Sequence, residues 1–170
     1  TKCEAEKHIL DNGHTSLRLA TVFGTSYRFR KDLLVNDFTL KAIIDRYIVL
    51  FEPNFKRNYI HIRDVIKAMV HMMGIPRTAG TYNNGAIYSY RERTSVDMGI
   101  AVSISDNGTP QFDIKTSEYA SDPDKRDYIV CNEKIEKTGW KPSYSLDDGI
   151  KELIKAYQII PHVNTLHTNL

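Results

Sequence analysis

The sequence is poor in the residue types that build metal sites and disulfide frameworks. Its 170 residues include only two cysteines, Cys3 and Cys131, which lie far apart and lack metal-ligand spacing. The six histidines form no H-x-x-x-H or H-x-H pair. We therefore expect two reduced thiols and no metal site.

Long apolar runs and a large excess of one charge are also missing. No apolar run approaches the roughly 20 residues of a membrane span, and no basic-then-apolar leader opens the sequence. We therefore expect a cytoplasmic protein without a membrane partner. The formal net charge of +2 is too small to indicate nucleic-acid binding. The 41% of apolar and 26% of charged residues are typical of one soluble globular unit.

Glycine occurs nine times but never in a phosphate-binding G-x-G-x-x-G pattern. The sequence also begins at Thr1-Lys2-Cys3-Glu4, without a methionine and inside a predicted helix. Natural domains rarely begin in this way, so we expect that a preceding part of the protein is missing from this sequence.

Helical and strand patterns alternate along the chain, which predicts an α/β fold. The predicted helices span 2–10, 32–46, 62–73, 94–104, 132–138 and 145–159, and the predicted strands span 15–23, 47–51, 80–85 and 111–115. Residues 88–93 are predicted to be irregular. Three helices have a predicted core face: Leu33, Leu34, Phe38, Ala42 and Ile43; Ile62, Val65, Ile66, Met69, Val70 and Met73; Leu146, Ile150, Leu153, Ile154 and Tyr157.

The stretch Arg57-Asn58-Tyr59-Ile60-His61-Ile62-Arg63-Asp64 carries an arginine on a short strand directly ahead of a helix. A guanidinium beside a helix N-terminus is a suitable place for a phosphate group. The alternative for Arg57 is a surface arginine at a strand end. His61 is flanked by isoleucines, which favours a hydrogen-bonded core histidine over a proton shuttle.

Four segments in this order resemble the C-terminal part of the NAD-dependent epimerase/dehydratase family, the extended short-chain dehydrogenases/reductases. They are the lysine segment Thr1–Lys7, the strand and loop Leu17–Gly24, the stretch Arg57–Asp64, and Lys137–Pro142 followed by Ser145–Ile150. The resemblance covers roughly residues 1–160. It implies a Rossmann-type α/β fold with a small mixed α/β substrate-binding region. The dinucleotide-binding domain would end near residue 26, residues 27–160 would be mainly substrate-binding, and residues 161–170 would be a tail.

The resemblance also implies a set of site residues. Lys2 would be the catalytic lysine, which holds the nicotinamide ribose and lowers the pKa of a tyrosine four residues upstream, before Thr1. Arg57 and Arg126 would hold the substrate diphosphate. The remaining residues are Thr21, Val22 and Phe23 beside the nicotinamide of NAD or NADP, and Asp32, Leu33 and Asn36 at the sugar.

The implied function is that of a longer enzyme that acts on a nucleotide-diphosphate sugar. Epimerase, dehydratase and reductase outcomes remain open, with epimerase preferred, and a homodimer of the full-length protein is a further implication. Because the glycine-rich turn and the tyrosine are missing, we expect this chain alone to be inactive. The alternatives are a non-catalytic binding or assembly module that kept the fold and an unrelated α/β protein. The basic loop Tyr27–Lys31 is expected to be solvated surface, with attraction of phosphates as its alternative.

Overall fold

The computed structural model describes residues 1–50, 56–75, 80–84, 86–89, 113–116 and 130–159, and these form an α/β fold. The helices are α1 (Lys2–Asp11), α2 (Leu34–Ile44), α3 (Ile62–Met73), α4 (Glu133–Glu136) and α5 (Leu146–Ile159). The strands are β1 (Thr15–Leu19), β2 (Thr21–Phe23), β3 (Tyr47–Leu50), β4 (Lys56–His61), β5 (Gly80–Asn84), β6 (Ala86–Ser89) and β7 (Asp113–Thr116).

The strands of this part of the chain pair in three groups. β1 pairs in parallel with β5, and β3 pairs in parallel with β7. The third group has the order β2-β4-β6, in which β2 is parallel and β6 antiparallel to β4. The parallel pairs agree with the predicted α/β class. The predicted division of the chain near residue 26 stays a prediction.

The prediction of one long buried strand over residues 15–23 is wrong. The strand divides at Ala20, so that β1 pairs with β5 while β2 pairs with β4. No residue of β1 is buried, and Leu19 is 42% exposed. Arg18 instead points to α1, where its Nε donates to Glu6 Oε1 at 3.1 Å and Oε2 at 3.0 Å. This ion pair connects α1, which buries none of its residues, to the sheet.

The last helix agrees with its prediction. Its predicted core residues are all buried: Leu146, Ile150, Leu153, Ile154 and Tyr157. Ser145 caps the helix as expected, because its Oγ accepts from Asp148 N at 3.1 Å while its own N donates to Asp148 Oδ2 at 3.0 Å. α5 packs against α2 in the main hydrophobic cluster.

Helix α2 is shorter than predicted and presents a different face to the core. Its fully buried residues are Val35, Asn36, Thr39 and Ala42, whereas Leu34, Phe38 and Ile43 are only partly buried at the cluster edge. Two of the inward residues are polar and satisfy backbone groups. Thr39 Oγ1, for example, donates to Val35 O at 2.7 Å. A prediction based on apolar periodicity therefore missed this face, because two of its buried residues are polar.

The predicted core face of α3 is largely wrong. The helix buries Asp64, Val65 and Ala68. Ile66, Met69, Val70 and Met73 are 54%, 46%, 63% and 85% exposed. The cause is Asp64, which is 0% exposed and accepts from Ser143 N at 3.0 Å, Ser143 Oγ at 2.8 Å and Tyr144 N at 2.9 Å. These bonds require the Asp64 side of the helix to face inward.

Three further predictions need adjustment. Residues Ala86–Ser89 form a strand where an irregular segment was expected from residue 88. Asn132 occupies the N-cap position of α4 as predicted, but its side chain makes no capping hydrogen bond. The predicted strand at 111–115 is observed at Asp113–Thr116. The predicted helix at 94–104 and the tail after residue 160 lie outside the described residues.

Gly149 lets α5 approach β2 closely. A Cβ at this position would lie 2.2 Å from Phe23 Cε2 and 3.0 Å from His61 Cδ2. Both aromatic rings are buried, at 2% and 1% exposure. The glycine is therefore required for the packing of this helix against the sheet.

Replacing Asp64 by alanine should lower the free energy of unfolding by about 3 kcal/mol, since two backbone N–H groups and one hydroxyl, all partly buried, lose a charged acceptor. Urea denaturation measures this change. Asp64→Asn, which keeps one acceptor oxygen, should cost less, and Asp11→Ala at the exposed end of α1 should stay within about 0.5 kcal/mol. Equal values for Asp64→Ala and Asp11→Ala would contradict the structural role of Asp64.

Gly149→Ala should destabilise the protein by about 1–3 kcal/mol, although alanine normally stabilises a helix interior by about 1 kcal/mol. The reason is the overlap with the Phe23 ring. Gly74→Ala is the control, because a Cβ there has its nearest neighbour, His71 O, at 3.5 Å. Urea denaturation of both variants checks this, and a stabilised Gly149→Ala variant would disprove the close contact.

Candidate functional site

A cavity of about 770 Å³ opens at the carboxyl ends of parallel strands β2 and β4. Its lining includes the end of β2 with Gly24 and, from the β4 side, Ile62. This is the edge of an open α/β sheet at which ligands usually bind. The volume lies within the usual range of small-molecule sites, about 300–1,000 Å³.

The cavity wall at β2 depends on Gly24. Its φ is +107°, a backbone conformation that residues with a side chain rarely adopt. A Cβ there would also lie 2.6 Å from His61 Nε2. Gly24 thus turns the chain sharply at the end of β2 and directs the following loop along the cavity.

The cavity brings together several of the residues that the sequence predicts as site residues. They are Lys2 from α1, Thr21, Val22 and Phe23 from β2, and Leu33 and Asn36 at the start of α2. Lys2 is exposed, whereas Phe23 is 2% and Asn36 1% exposed. These residues are up to 34 positions apart in the sequence, yet the fold places all of them around the same cavity.

Asp32 and Arg57 lie elsewhere, and Arg126 falls outside the described residues. Asp32 does not line the cavity but pairs with Arg30, which does, through a 3.0 Å bond from Arg30 Nε and a second bond from its Nη2. The Arg30 guanidinium lowers the pKa of Asp32 by this hydrogen bonding. Arg57 is 5% exposed within the β2-β4-β6 sheet and is absent from the cavity lining.

The basic loop Tyr27–Lys31 was expected to be solvated surface, with attraction of phosphates as the alternative. Tyr27 and Arg28 are exposed, which agrees with the expectation, and the loop also contributes to the cavity wall. Ser26 and, from this loop, Arg28 and Arg30 line the cavity, and Arg30 pairs with Asp32. Together with Lys2 they give the described lining a positive charge, which suits an anionic ligand. The available signal was the position of Gly24-Thr25-Ser26 directly after a parallel strand, together with the three basic residues that follow.

His61 lies behind the cavity and links β4 to α3. Its Nδ1 accepts from Arg63 N at 3.3 Å and so caps α3. The ring packs edge-on against Phe23 at 5.3 Å and stacks on Tyr144 at 4.6 Å. The predicted hydrogen-bonded core histidine is thus confirmed.

Burial lowers the pKa of His61. The carboxylates of Glu152, Asp64 and Asp148 oppose this shift, while the Arg63 guanidinium adds to it. Nε2 lies 3.7 Å from Glu152 Oε2, which is too far for a hydrogen bond. The pair is therefore a neutral imidazole beside a carboxylate and not an ion pair.

Because the folded state disfavours the protonated imidazole, His61 should destabilise the protein as pH falls below about 6.5, the usual value for unfolded histidine. His61→Asn keeps the capping acceptor and removes this titration. The loss of unfolding free energy between about pH 7.5 and pH 5 should be smaller in His61→Asn than in the original chain. Urea denaturation across this range measures it. Parallel pH profiles for the two proteins would contradict the assignment.

The described residues show neither a metal site nor a membrane-spanning helix. No group of three or more histidine, cysteine, aspartate or glutamate side chains there is arranged to hold a metal ion. No helix in the same ranges has the length and hydropathy needed to cross a membrane.

Sequence comparison identifies a distant curated relative. No protein-family profile matches the chain. The mouse dTDP-D-glucose 4,6-dehydratase is 24% identical over 132 residues, which covers 69% of this chain and 36% of that protein.

Solved structures match more of the chain. The UDP-glucose 4-epimerase of Thermotoga maritima with UDP-glucose has a TM-score of 0.71 at 19% identity, over 95% of this chain and 53% of its own. The dTDP-glucose 4,6-dehydratase of Bacillus anthracis in complex with NAD has a TM-score of 0.71 at 18% identity, over 93% and 49%. The chain thus spans about half the length of these structures. It has the Rossmann-type α/β fold of the extended short-chain dehydrogenases/reductases, as predicted for their C-terminal part, and its resemblance to the NAD-dependent epimerase/dehydratase family is confirmed.

Proposed function

We propose that this chain is the C-terminal part of an NAD(P)-dependent enzyme that epimerises or dehydrates a nucleotide-diphosphate sugar. The main support for this proposal is the cavity that brings Lys2 and the end of β2 together with Arg28 and Arg30. It lies where α/β enzymes bind their ligands, and its cationic wall suits a diphosphate. The similarity to dehydratases and epimerases that carry nucleotide sugars in their names supports the same substrate class.

The β2 side of the cavity fits the nicotinamide end of NAD or NADP. Lys2 offers an ammonium for ribose hydroxyls, and Thr21, Val22 and Phe23 offer a mixed polar and apolar wall for the ring. When bound, the cofactor supplies the hydride acceptor and donor. The sequence contains no glycine-rich turn for the pyrophosphate, so the remainder of the cofactor site belongs to another part of the protein.

The opposite side of the cavity would take the nucleotide sugar. The family resemblance implies Leu33, Asn36 and the neighbouring Asp32 at the sugar end, and of these we assign direct contacts to Leu33 and Asp32, because the Asn36 carboxamide already bonds to Gly24 N and Arg30 O. Arg28 and Arg30 add two guanidinium groups, which pair well with phosphate oxygens. Arg57 and Arg126 remain the proposed diphosphate ligands by resemblance. Mutagenesis can therefore distinguish this pair from the pair Arg28 and Arg30.

Binding to the purified 170-residue chain tests this proposal. Isothermal titration calorimetry with UDP-glucose and dTDP-glucose should detect binding of at least one of them, whereas NAD should not bind tightly. The reason is that the chain holds the substrate side but lacks the pyrophosphate turn. Tight NAD binding without any nucleotide-sugar binding would overturn the proposal.

Arg28→Ala should weaken nucleotide-sugar affinity about tenfold or more, since a charge-assisted hydrogen bond contributes about 1.5–3 kcal/mol. Arg57→Ala tests the other pair in the same titration. Lys155→Ala is the matched control, because it removes one positive charge from an exposed position on α5 outside the cavity lining. A loss as large in Lys155→Ala would show a general charge effect instead of a local contact.

A further inference from the structure

We propose that Asn36 and Glu152 are positioning residues that hold the loop Gly24–Arg30, here called the arch, in one preformed shape. The arch carries Ser26, Arg28 and Arg30 to the cavity, so its shape sets where the two guanidinium groups stand. The ligand-binding role of the arch rests on the proposed function. The role of Asn36 and Glu152 in holding the arch rests only on the contacts described next.

Asn36 closes the arch by bonding to both of its ends. Its Oδ1 accepts from Gly24 N at 3.2 Å, and its Nδ2 donates to Arg30 O at 2.8 Å. The residue is 1% exposed, and its bond to Gly24 N is shielded from water, while its bond to Arg30 O is partly so. One carboxamide thus bridges the two ends of this seven-residue loop, using its acceptor at one end and its donor at the other.

The backbone of Asn36 is held in place by the packing of α5 against α2. Tyr157 Oη on α5 donates to Asn36 O at 2.9 Å. The Tyr157 ring also meets Phe29, the buried residue of the arch, edge-on at 5.2 Å. Burial raises the pKa of Tyr157, so this hydroxyl stays a donor at neutral pH. The arch is thus anchored at its ends and at Phe29 to the same α2–α5 contact.

Glu152 supplies the second anchor from the opposite side. Its Oε1 accepts from Thr25 N at 3.2 Å and from the Thr25 hydroxyl. Its Oε2 lies 3.2 Å from an Arg63 guanidinium nitrogen, which holds the carboxylate in this orientation. Within the arch, Ser26 Oγ donates to Arg28 O at 2.8 Å. The first residues of the arch are therefore fixed from outside and from within.

These contacts assign Asn36 an indirect role. Both functional atoms of its carboxamide already bond to the backbone of this chain. Its effect on a ligand therefore passes through the position of Arg28 and Arg30. A preformed arch reduces the conformational entropy that ligand binding would otherwise remove from a mobile arginine loop.

Nuclear magnetic resonance of the ¹⁵N-labelled 170-residue chain tests the inference without ligand. Asn36→Ala should speed amide exchange of Gly24 at least tenfold and lower the backbone order parameters of residues 26–30. Asn36→Asp keeps an acceptor for Gly24 but no donor for Arg30 at neutral pH. It should restore Gly24 protection while residues 28–30 stay mobile. General destabilisation would not separate the two ends in this way.

Asn58→Asp is the matched control. Asn58 is 3% exposed, and its carboxamide likewise bonds in both directions, from Val130 N at 2.9 Å and to Val130 O at 3.3 Å. It should lower the thermal midpoint while Gly24 protection and the order parameters of the arch stay unchanged. Glu152→Ala should expose the Thr25 amide to exchange at least tenfold faster.

An arch that stays rigid in Asn36→Ala, or one that loosens equally in Asn58→Asp, would overturn the inference. If Asn36→Ala does not fold, the different behaviour of the two ends in Asn36→Asp decides the question. Equal exchange of Thr25 in Glu152→Ala and the original chain would remove Glu152 from the role.

A second measurement connects the arch to its ligand. UDP-glucose affinity should fall about tenfold in Asn36→Asp, and the double variant with Arg28→Ala should lose less affinity than the product of the two single losses, because part of the effect of Asn36 passes through Arg28. Unchanged affinity in Asn36→Asp would overturn the positioning role while the proposed function stands. If the original chain fails to bind UDP-glucose, the proposed function fails in this chain, and the exchange data still decide the inference.

Discussion

The described structure depends on the crowded contact around the His61 imidazole. The ring meets Phe23 at 5.3 Å and Tyr144 at 4.6 Å, and two glycines, Gly24 and Gly149, leave room for it and for the Phe23 ring. Because His61 ends β4 and caps α3, this contact joins the sheet, α3, α5 and the cavity wall. Larger residues at either glycine would separate these elements.

Buried polar side chains connect segments that are distant in the sequence. Asp64 binds the backbone at Ser143, Asn58 binds Val130, and Asn36 binds Gly24. Each forms hydrogen bonds with backbone groups that lie outside helices and strands. Of these bonds, the one from Gly24 N to Asn36 lies at the cavity wall and helps to shape it.

Prediction from the sequence succeeded where a pattern and its physical cause were both local. The apolar positions of α5 and its cap at Ser145 were correct, because that helix has a single apolar face. The apolar residues of α3 were assigned to the wrong face, because the buried Asp64 sets its orientation. The motif resemblance predicted several residues that line the cavity, but periodicity could not indicate that Arg28 and Arg30 of the basic loop would line the same cavity.

The sequence by itself determined most of the order of helices and strands, the α/β class and the resemblance to a nucleotide-sugar enzyme family, but not the division of the first strand at Ala20 or the strand β6. These features depend on neighbouring residues, on backbone propensity and on short motifs. Only the tertiary structure decided that α3 presents Asp64 to the interior, that Arg57 is buried in the sheet and that Arg28 and Arg30 face the cavity. The physical reason is that hydrogen bonds between remote segments, such as those of Asp64 and Asn36, select one packing among several that the local pattern allows.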